Sequence, residues 1–173
     1  TTFGPDQVDL NWQNPRMLLE FLNLVILYIN HGIKWFRLDA VGFIWKQSGT
    51  TCLHLSKAHL IVKVLRIKLS NLLNDGVLIT ETNVPQKENL SYLEPQDEAH
   101  MAYNFPLPPL LLEAVVTSRA DILNNWIYNW PMLPENTTLF NFTASHDGVG
   151  LRPLEGLMNE ERIKQLLINC EKR

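Results

Sequence analysis

The sequence predicts an α/β fold in which helices and strands alternate around a parallel sheet. Short apolar runs of strand length alternate with longer segments whose apolar residues recur at helical spacing. Strands joined by helices favour a parallel sheet with right-handed crossovers. With 173 residues, 46% of them hydrophobic, the chain is long enough to bury one sizeable core. One globular unit is therefore expected.

The helical segments are recognised by their apolar period and by the residues at their ends. The first begins at Asn14-Pro15, a typical helix start, and ends at His31-Gly32, a typical helix stop. The second is broken by the turn sequence Asn74-Asp75-Gly76. The helices are predicted at residues 14–31, 56–73, 107–117, 120–130 and 159–170.

Four short runs have the β-branched or alternating composition of strands, at residues 33–40, 77–80, 100–105 and 138–144. The element order becomes helix, strand, helix, strand, short helix, strand, helix, strand, helix. Such a sheet is either closed into a barrel or left open and doubly wound, and four strands are half the number in a (β/α)8 TIM barrel. A dinucleotide-binding sheet is disfavoured, because the glycine cluster Gly148-Val149-Gly150 lacks the third glycine of that motif.

Composition and charge argue against several classes of partner. A net charge of -3 and a pI near 5.9 give no reason to expect nucleic acid or an anionic membrane, and no apolar stretch approaches the ~20 residues of a membrane span. Cys52 and Cys170 form neither a disulfide framework nor a zinc pattern, and His54 and His59 are assigned to a loop and a helix rather than to a metal site. A cytoplasmic protein without metal or cofactor is expected.

Acidic residues follow three predicted strands at the ends where a parallel barrel carries its active site. Asp39 closes the first strand, Glu81 the second, and His146-Asp147 follow the last. Arg37 and Asp39 are two positions apart on an extended chain, so their side chains point to one face. Because a neighbouring guanidinium favours the ionised carboxylate, Asp39 suits the role of a nucleophile.

Glu81 has a different predicted environment. It follows Leu-Ile-Thr and has no cation beside it in the sequence, so partial desolvation would raise its pKa and let it donate a proton. One ionised carboxylate and one protonated carboxyl group are the usual equipment for cleaving a glycosidic bond with retention of configuration. For any single acid a helix cap or loop charge is the better interpretation, but three acids at successive strand ends favour a site.

Four short segments surround these residues, and longer stretches extend them. The short segments are DLNWQNP at 9–15, RLDAV at 37–41, ETN at 81–83 and SHDG at 145–148. In wording, order and spacing they resemble signature segments of the α-amylase family, glycoside hydrolase family 13. The wording is most similar to the sucrose phosphorylase branch of that family in AVGFIWKQSGTTC at 40–52, DEAHMAYNFPLPPLLLEA at 97–114 and FNFTASHDGVGLRPLEG at 140–156.

The resemblance implies a retaining transfer of an α-glucosyl group through a covalent β-glucosyl-enzyme intermediate. It implies that Asp39 is the nucleophile and Glu81 the acid/base. Asp147 would be the third acid, which binds sugar hydroxyls as the ring flattens. Arg37 would orient and ionise Asp39, and His146 would contact the same hydroxyls.

The resemblance also implies two kinds of partner. The first is an α-glucoside, namely sucrose, glucosylglycerate or sucrose 6-phosphate, and the second is inorganic phosphate, which would yield α-glucose 1-phosphate. Arg152 is a candidate contact for phosphate or an acidic acceptor, with an exposed loop arginine as the alternative. Because the first chemical step is shared, the motifs leave open a hydrolase, a transglucosylase such as amylosucrase, or an inactive barrel subunit.

The segments correspond to the middle of a family barrel, about the fourth to seventh strands with their helices. Residues 1–173 are therefore expected to be a partial catalytic (β/α)8 domain, incomplete at both ends. The family segment at the end of the third strand, which supplies an aspartate and a histidine to the glucose pocket, would precede Thr1. We expect the isolated chain to be inactive, and the sequence does not indicate its oligomeric state.

Overall fold

The computed structural model describes residues 1–172, in which helices and strands alternate in the predicted order. The helices of this part of the chain are α1 (Pro15–Asn30), α2 (Ser56–Leu72), α3 (Gln86–Leu90), α4 (Leu107–Thr117), α5 (Asp121–Tyr128) and α6 (Glu160–Glu171). Its strands are β1 (Trp35–Leu38), β2 (Val77–Thr80), β3 (Met101–Tyr103) and β4 (Thr138–Phe140). Two short 3₁₀ helices cover Val41–Phe43 and Arg152–Leu154.

The strands form one parallel sheet in the order β1-β2-β3-β4, so each strand pairs with its neighbour in the sequence. This confirms the predicted parallel α/β fold. The register pairs Leu38 of β1 with Thr80 of β2. Continuing that register by one residue places Asp39 beside Glu81. Because side chains alternate along strands, both residues belong to the row that contains Arg37 and not to the row that packs on the helices.

Three strands are shorter than predicted, although their positions are correct. At Ala40 the backbone turns into the left-handed region with φ of 45°, which ends the extended conformation of β1. After Phe140 the chain leaves the sheet, so the predicted strand at 138–144 is reduced to three residues. Asp39 therefore follows β1 instead of closing it. The short strands place more residues in the loops at the carboxyl edge of the sheet.

The main core lies between the sheet and the helices α1 and α2. Leu78 and Ala102 contribute from β2 and β3, and the apolar stripe of α2 supplies Ile61, Leu65 and Leu69, all of which are buried. These α2 residues recur at three- and four-residue spacing, as expected for one helix face. The stacking of this stripe on the sheet leaves the opposite side of β1 and β2 free for polar residues.

The predicted start of α1 is confirmed by its cap. The Asn14 side chain accepts a hydrogen bond of 3.1 Å from the Arg16 backbone N–H, and Pro15 occupies the first helical position. Gly32 then ends the segment with φ of 87°, a conformation that glycine adopts without strain.

A second cluster joins α4, α5 and α6 around an ionic network. Glu113 of α4 is fully buried, and its Oε1 accepts hydrogen bonds from Arg162 of α6 at 2.6 and 2.8 Å. The same guanidinium donates to both carboxylate oxygens of Asp121 on α5, at 2.8 and 2.9 Å. These bonds lower the pKa of Asp121 to about 2. One arginine therefore links three helices and neutralises the charge of a buried glutamate.

Replacing this arginine is expected to destabilise the protein strongly. In Arg162→Met, Glu113 stays buried without a cationic partner, so the free energy of unfolding should fall by about 3–5 kcal/mol. Adding Glu113→Gln should restore most of the loss, because the buried charge is removed. Denaturant unfolding measures both changes.

Arg119→Met is the matched control for that experiment. Arg119 is exposed and interacts with Asp121 without reaching Glu113, so its replacement should change the unfolding free energy by about 0.5 kcal/mol or less. Equal losses in Arg162→Met and Arg119→Met would show that the buried glutamate does not depend on Arg162.

Candidate active site

Arg37 lies at the centre of the polar residues that follow the strands. Its Nη1 donates a hydrogen bond of 2.6 Å to Asp39 Oδ1, and its Nη2 is 3.9 Å from Glu81 Oε2. Burial alone would lower the pKa of this guanidinium, but the charges of Asp39 and Glu81 outweigh that effect and raise it. Arg37 is therefore a fixed cation that interacts with both carboxylates. The sequence predicted its pairing with Asp39 but not its approach to Glu81.

Glu81 also receives a backbone hydrogen bond from the segment after β1. The Ala40 N–H donates to Glu81 Oε2 at 2.8 Å, and the Glu81 side chain is only 13% exposed. Asp39 is different, since 74% of its side chain is exposed. The two acids thus stand at the ends of adjacent strands, one partly desolvated and one solvated.

The pKa of Glu81 is raised, as the sequence predicted. Burial is the largest cause, and the negative charges of Asp39 and Asp147 act in the same direction. The hydrogen bond from Ala40 and the positive charge of Arg37 oppose the increase without cancelling it. A carboxyl group in this environment is suited to hold a proton and to release it during a reaction.

A turn after β4 carries the remaining predicted site residues. The Gly148 N–H donates to Ser145 O at 3.1 Å, and the Asp147 N–H donates to Ser145 Oγ at 3.2 Å. This turn presents His146 and Asp147, with 3.4 Å between His146 Nε2 and Asp147 Oδ2. A cavity of about 270 Å³ is lined by Arg37, Glu81, Tyr103, Phe105, Ser145, His146 and Asp147.

The structure brings four of the six predicted residues into one cavity, and Asp39 and Arg152 lie outside its lining. Asp39 does not itself line the cavity within residues 1–172, but it is bound to Arg37, which does. Arg152 lies in the exposed first position of the 3₁₀ helix Arg152–Leu154 and is also absent from that lining. Arg37, Glu81, His146 and Asp147 share the cavity. The carboxyl edge of the sheet therefore collects the polar side chains that the strand ends suggested.

Tyr103 is a site residue that the sequence did not reveal as one. The Arg37 guanidinium carbon lies 5.4 Å from the centroid of its ring, a cation-π arrangement. Phe105, Phe140 and Phe142 surround the same ring with centroid distances of 4.9 to 5.7 Å. The alternation of the third strand could have indicated it, because a parallel register places Tyr103 in the row of Glu81.

A larger cavity of about 520 Å³ lies elsewhere, between α3, α5 and the residues after the second 3₁₀ helix. Its lining includes Trp126, Met132 and Leu157 and contains none of the predicted site residues. Within residues 1–172, no group of three or more His, Cys, Asp or Glu side chains is arranged to hold a metal. In the same residues no helix has both the length and the apolar composition required to cross a membrane.

Comparison with protein families and curated proteins gives concordant matches. Residues 1–165 match the family profile of the alpha amylase, catalytic domain. The chain is 49% identical over 168 residues to a glucosylglycerate phosphorylase of Escherichia coli strain K12, which covers 96% of this chain and 30% of that protein. It is 46% identical over 168 residues, with the same coverage, to a glucosylglycerate phosphorylase of Allomeiothermus silvanus. The chain spans about a third of these curated relatives.

A solved structure gives the same fold. The sucrose 6F-phosphate phosphorylase from Thermoanaerobacter thermosaccharolyticum superposes with a TM-score of 0.71 at 23% sequence identity. The alignment covers 84% of this chain and 28% of that protein. The four-stranded parallel sheet described above is thus part of a (β/α)8 barrel, as the sequence predicted.

The raised pKa of Glu81 has a measurable effect on stability. The folded protein binds this proton more tightly than the unfolded chain, so the contribution of Glu81 to stability is lost as pH rises from its ordinary value of 4.5 through the raised folded value. Glu81→Gln removes the titration. The unfolding free energy of this variant, relative to the unmodified protein, should therefore increase with pH across that window.

Denaturant unfolding at a series of pH values measures this difference. Glu155→Gln, which replaces an exposed glutamate, is the matched control and should show no such increase. A stability difference between Glu81→Gln and the unmodified protein that is constant with pH, or that decreases, would contradict the desolvation of Glu81.

Proposed function

This chain belongs to the alpha-amylase catalytic-domain family, and we propose that it is the central part of a longer barrel that transfers α-glucosyl groups with retention of configuration. Residues 1–173 would then be a partial catalytic domain, incomplete at both ends. The observation that carries the proposal is the placement of one guanidinium, Arg37, against two carboxylates of different exposure. This arrangement provides a nucleophile and a proton donor side by side.

In the first step, Asp39 attacks the anomeric carbon of the α-glucoside while the glycosidic bond breaks. Glu81 transfers its proton to the leaving oxygen, so that the aglycone departs as a neutral alcohol. The product is a β-glucosyl ester of Asp39, and Glu81 is left ionised. Arg37 favours this step because its hydrogen bond to Asp39 Oδ1 holds the carboxylate in position.

In the second step, an acceptor oxygen attacks the anomeric carbon of the glucosyl ester from the face that the aglycone left. Glu81 removes the acceptor proton, the ester bond breaks, and Asp39 is released as a carboxylate. Two inversions give net retention. With inorganic phosphate as the acceptor the product is α-glucose 1-phosphate.

Asp147 and His146 are assigned to the hydroxyl groups of the glucosyl ring. Both line the cavity that contains Glu81, and both are largely exposed at the tip of their turn. Hydrogen bonds that these hydroxyls donate to a carboxylate strengthen as the ring flattens toward an oxocarbenium ion. Arg152 is assigned to the acceptor, as a contact for phosphate or for an acidic group, and its exposure outside the cavity makes it the peripheral member of the set.

The donor and acceptor are proposed from the relatives. Two proteins at 49% and 46% identity are glucosylglycerate phosphorylases, so glucosylglycerate and phosphate are the proposed substrates. Sucrose and sucrose 6-phosphate are the alternatives. Hydrolysis and sugar-to-sugar transfer use the same first step, so the identity of the acceptor decides between these activities.

The test is a product assay with the full-length enzyme. Glucosylglycerate, sucrose and sucrose 6-phosphate are incubated separately, with and without phosphate, and glucose 1-phosphate and glucose are quantified. The proposal predicts phosphate-dependent formation of α-glucose 1-phosphate from glucosylglycerate. Release of glucose without phosphate would instead show a hydrolase, and no reaction with any donor would support an inactive barrel.

Two substitutions test the residue roles in that assay. Asp39→Asn and Glu81→Gln should each reduce kcat by about a thousandfold or more, because they remove the nucleophile and the proton donor. Asp75→Asn changes an exposed aspartate that pairs with Lys34 and should leave kcat nearly unchanged. Turnover close to the unmodified rate in Asp39→Asn or Glu81→Gln would overturn these assignments.

A further inference from the structure

The backbone immediately after Asp39 is held in an unfavourable conformation. Ala40 has φ of 45°, in the left-handed region, although it is not a glycine. Such a conformation is unfavourable for alanine and persists only when the surrounding structure imposes it. In this protein, the conformation directs the Ala40 N–H to Glu81 Oε2, at a distance of 2.8 Å.

The next residues are held by His54, from the far end of the loop that follows β1. The His54 N–H donates to Gly42 O at 2.8 Å. The His54 ring lies against Gly42 so closely that a Cβ at that position would be 2.6 Å from His54 Cε1. His54 is itself left-handed, with φ of 51°. Two strained residues, Ala40 and His54, therefore enclose the 3₁₀ helix Val41–Phe43 from both sides.

His54 is in turn held by a series of contacts between buried polar side chains. Its Nδ1 is 2.9 Å from the hydroxyl of Tyr92, which is fully buried. The Tyr92 ring stacks on His59 with centroids 4.2 Å apart and an angle of 13°. His59 Nδ1 is 2.7 Å from Glu98 Oε2, and Glu98 is only 3% exposed. This series of side-chain contacts therefore ends at Glu98, which is immobilised by its burial in the core.

We propose that His54, anchored by Tyr92, His59 and Glu98, is a positioning residue that holds the Ala40 N–H against Glu81. The inference rests on the proposed role of Glu81 as the acid/base. It adds the contact that fixes the position of the Glu81 carboxyl group. His54 acts only through the backbone of residues 40–42, so it is not a catalytic residue. Because His54 is fixed by the core and contacts Gly42, it keeps the backbone of residues 40–42 in place beside Glu81.

The charged groups that face Glu81 determine what loss of this hydrogen bond would do. The Ala40 N–H and Arg37 favour the ionised carboxylate, whereas Asp39 and Asp147 oppose it. Tyr103 lines the same cavity from β3, and His146 lines it from the turn after β4. When the Ala40 N–H moves away, one of the two groups that favour ionisation is lost, and the pKa of Glu81 rises further.

His54 itself remains neutral during such measurements near neutral pH. Burial, reinforced by the nearby His59 and Arg152, lowers the pKa of its imidazole to about 4, although Glu88 acts in the opposite direction. Because His54 does not change its protonation state near neutral pH, its contact with Tyr92 stays the same there. A shift of the high-pH limb of the rate profile is therefore not caused by His54.

The experiment measures kcat/KM against pH in the full-length enzyme, with glucosylglycerate and phosphate. The high-pH limb of this profile reports the proton donor of the free enzyme. In His54→Ala and Tyr92→Phe the limb should move to higher pH, and kcat/KM at neutral pH should fall about tenfold because Glu81 is less precisely held. Tyr92→Phe retains the stacked ring and is the milder variant if His54→Ala does not fold.

Two further variants separate positioning from a general loss of stability. His54→Asn should restore the limb, because asparagine tolerates a positive φ and its amide can bond to Tyr92. Leu166→Ala removes a buried side chain of α6, which contributes no residue to the loop after β1 or to the contacts of His54, and should lower stability without moving the limb.

An unmoved limb in both His54→Ala and Tyr92→Phe, or an equal shift in Leu166→Ala, would overturn the inference. Failure of the proposed function looks different, because Glu81→Gln would then retain its turnover. The Glu81→Gln assay therefore distinguishes a wrong acid/base assignment from a wrong positioning residue.

Discussion

The charge of Arg37 is the feature on which the rest of the site depends. Asp39 and Glu81 occupy equivalent positions after adjacent parallel strands, where two carboxylates would repel each other. The guanidinium interacts with both, at 2.6 Å from Asp39 and 3.9 Å from Glu81. The two acids nevertheless differ, because burial raises the pKa of Glu81, whereas Asp39 is exposed and hydrogen-bonded to Arg37. That inequality is what two-step glycosyl transfer requires of its two carboxyl groups.

The parallel sheet makes this arrangement possible through its register. Consecutive strands present their carboxyl ends at one edge, so residues distant in the sequence become neighbours there. Arg37 points to the side of the sheet away from α1 and α2, above the ring of Tyr103. The helices cover the other side with apolar residues, and the turn at 145–148 brings Asp147 to the cavity. The core therefore packs on one face of these strands, and the site lies on the opposite face.

The features that were predictable from the sequence are those with a local cause. The period of apolar residues predicted α1 and α2, and the position of Glu81 after an apolar strand predicted its desolvation and its raised pKa. Arg37 was paired with Asp39 because the two residues are close in the chain. Its contact with Glu81 depends on the register of β1 and β2, which no local pattern specifies.

The positioning contact of His54 was beyond sequence reasoning for the same reason. It joins residues of the loop after β1 to Tyr92, which belongs to another loop, and it requires a left-handed backbone at Ala40 that alanine does not suggest. His54 lies in the loop after β1, as predicted, but the sequence did not connect it to the site. Tyr103 was likewise predicted to lie in a strand without being predicted to lie beneath Arg37.

The identity of the residue that carries the glucosyl group tests this account most directly. In the full-length enzyme with Glu81→Gln, α-glucosyl fluoride supplies a leaving group that departs without a proton donor, whereas removal of the ester is slowed because the base is missing. Peptide mass analysis should locate a glucosyl ester on Asp39, and Asp39→Asn should abolish it. An ester on a different residue, or an inverted β-configured product, would contradict the account.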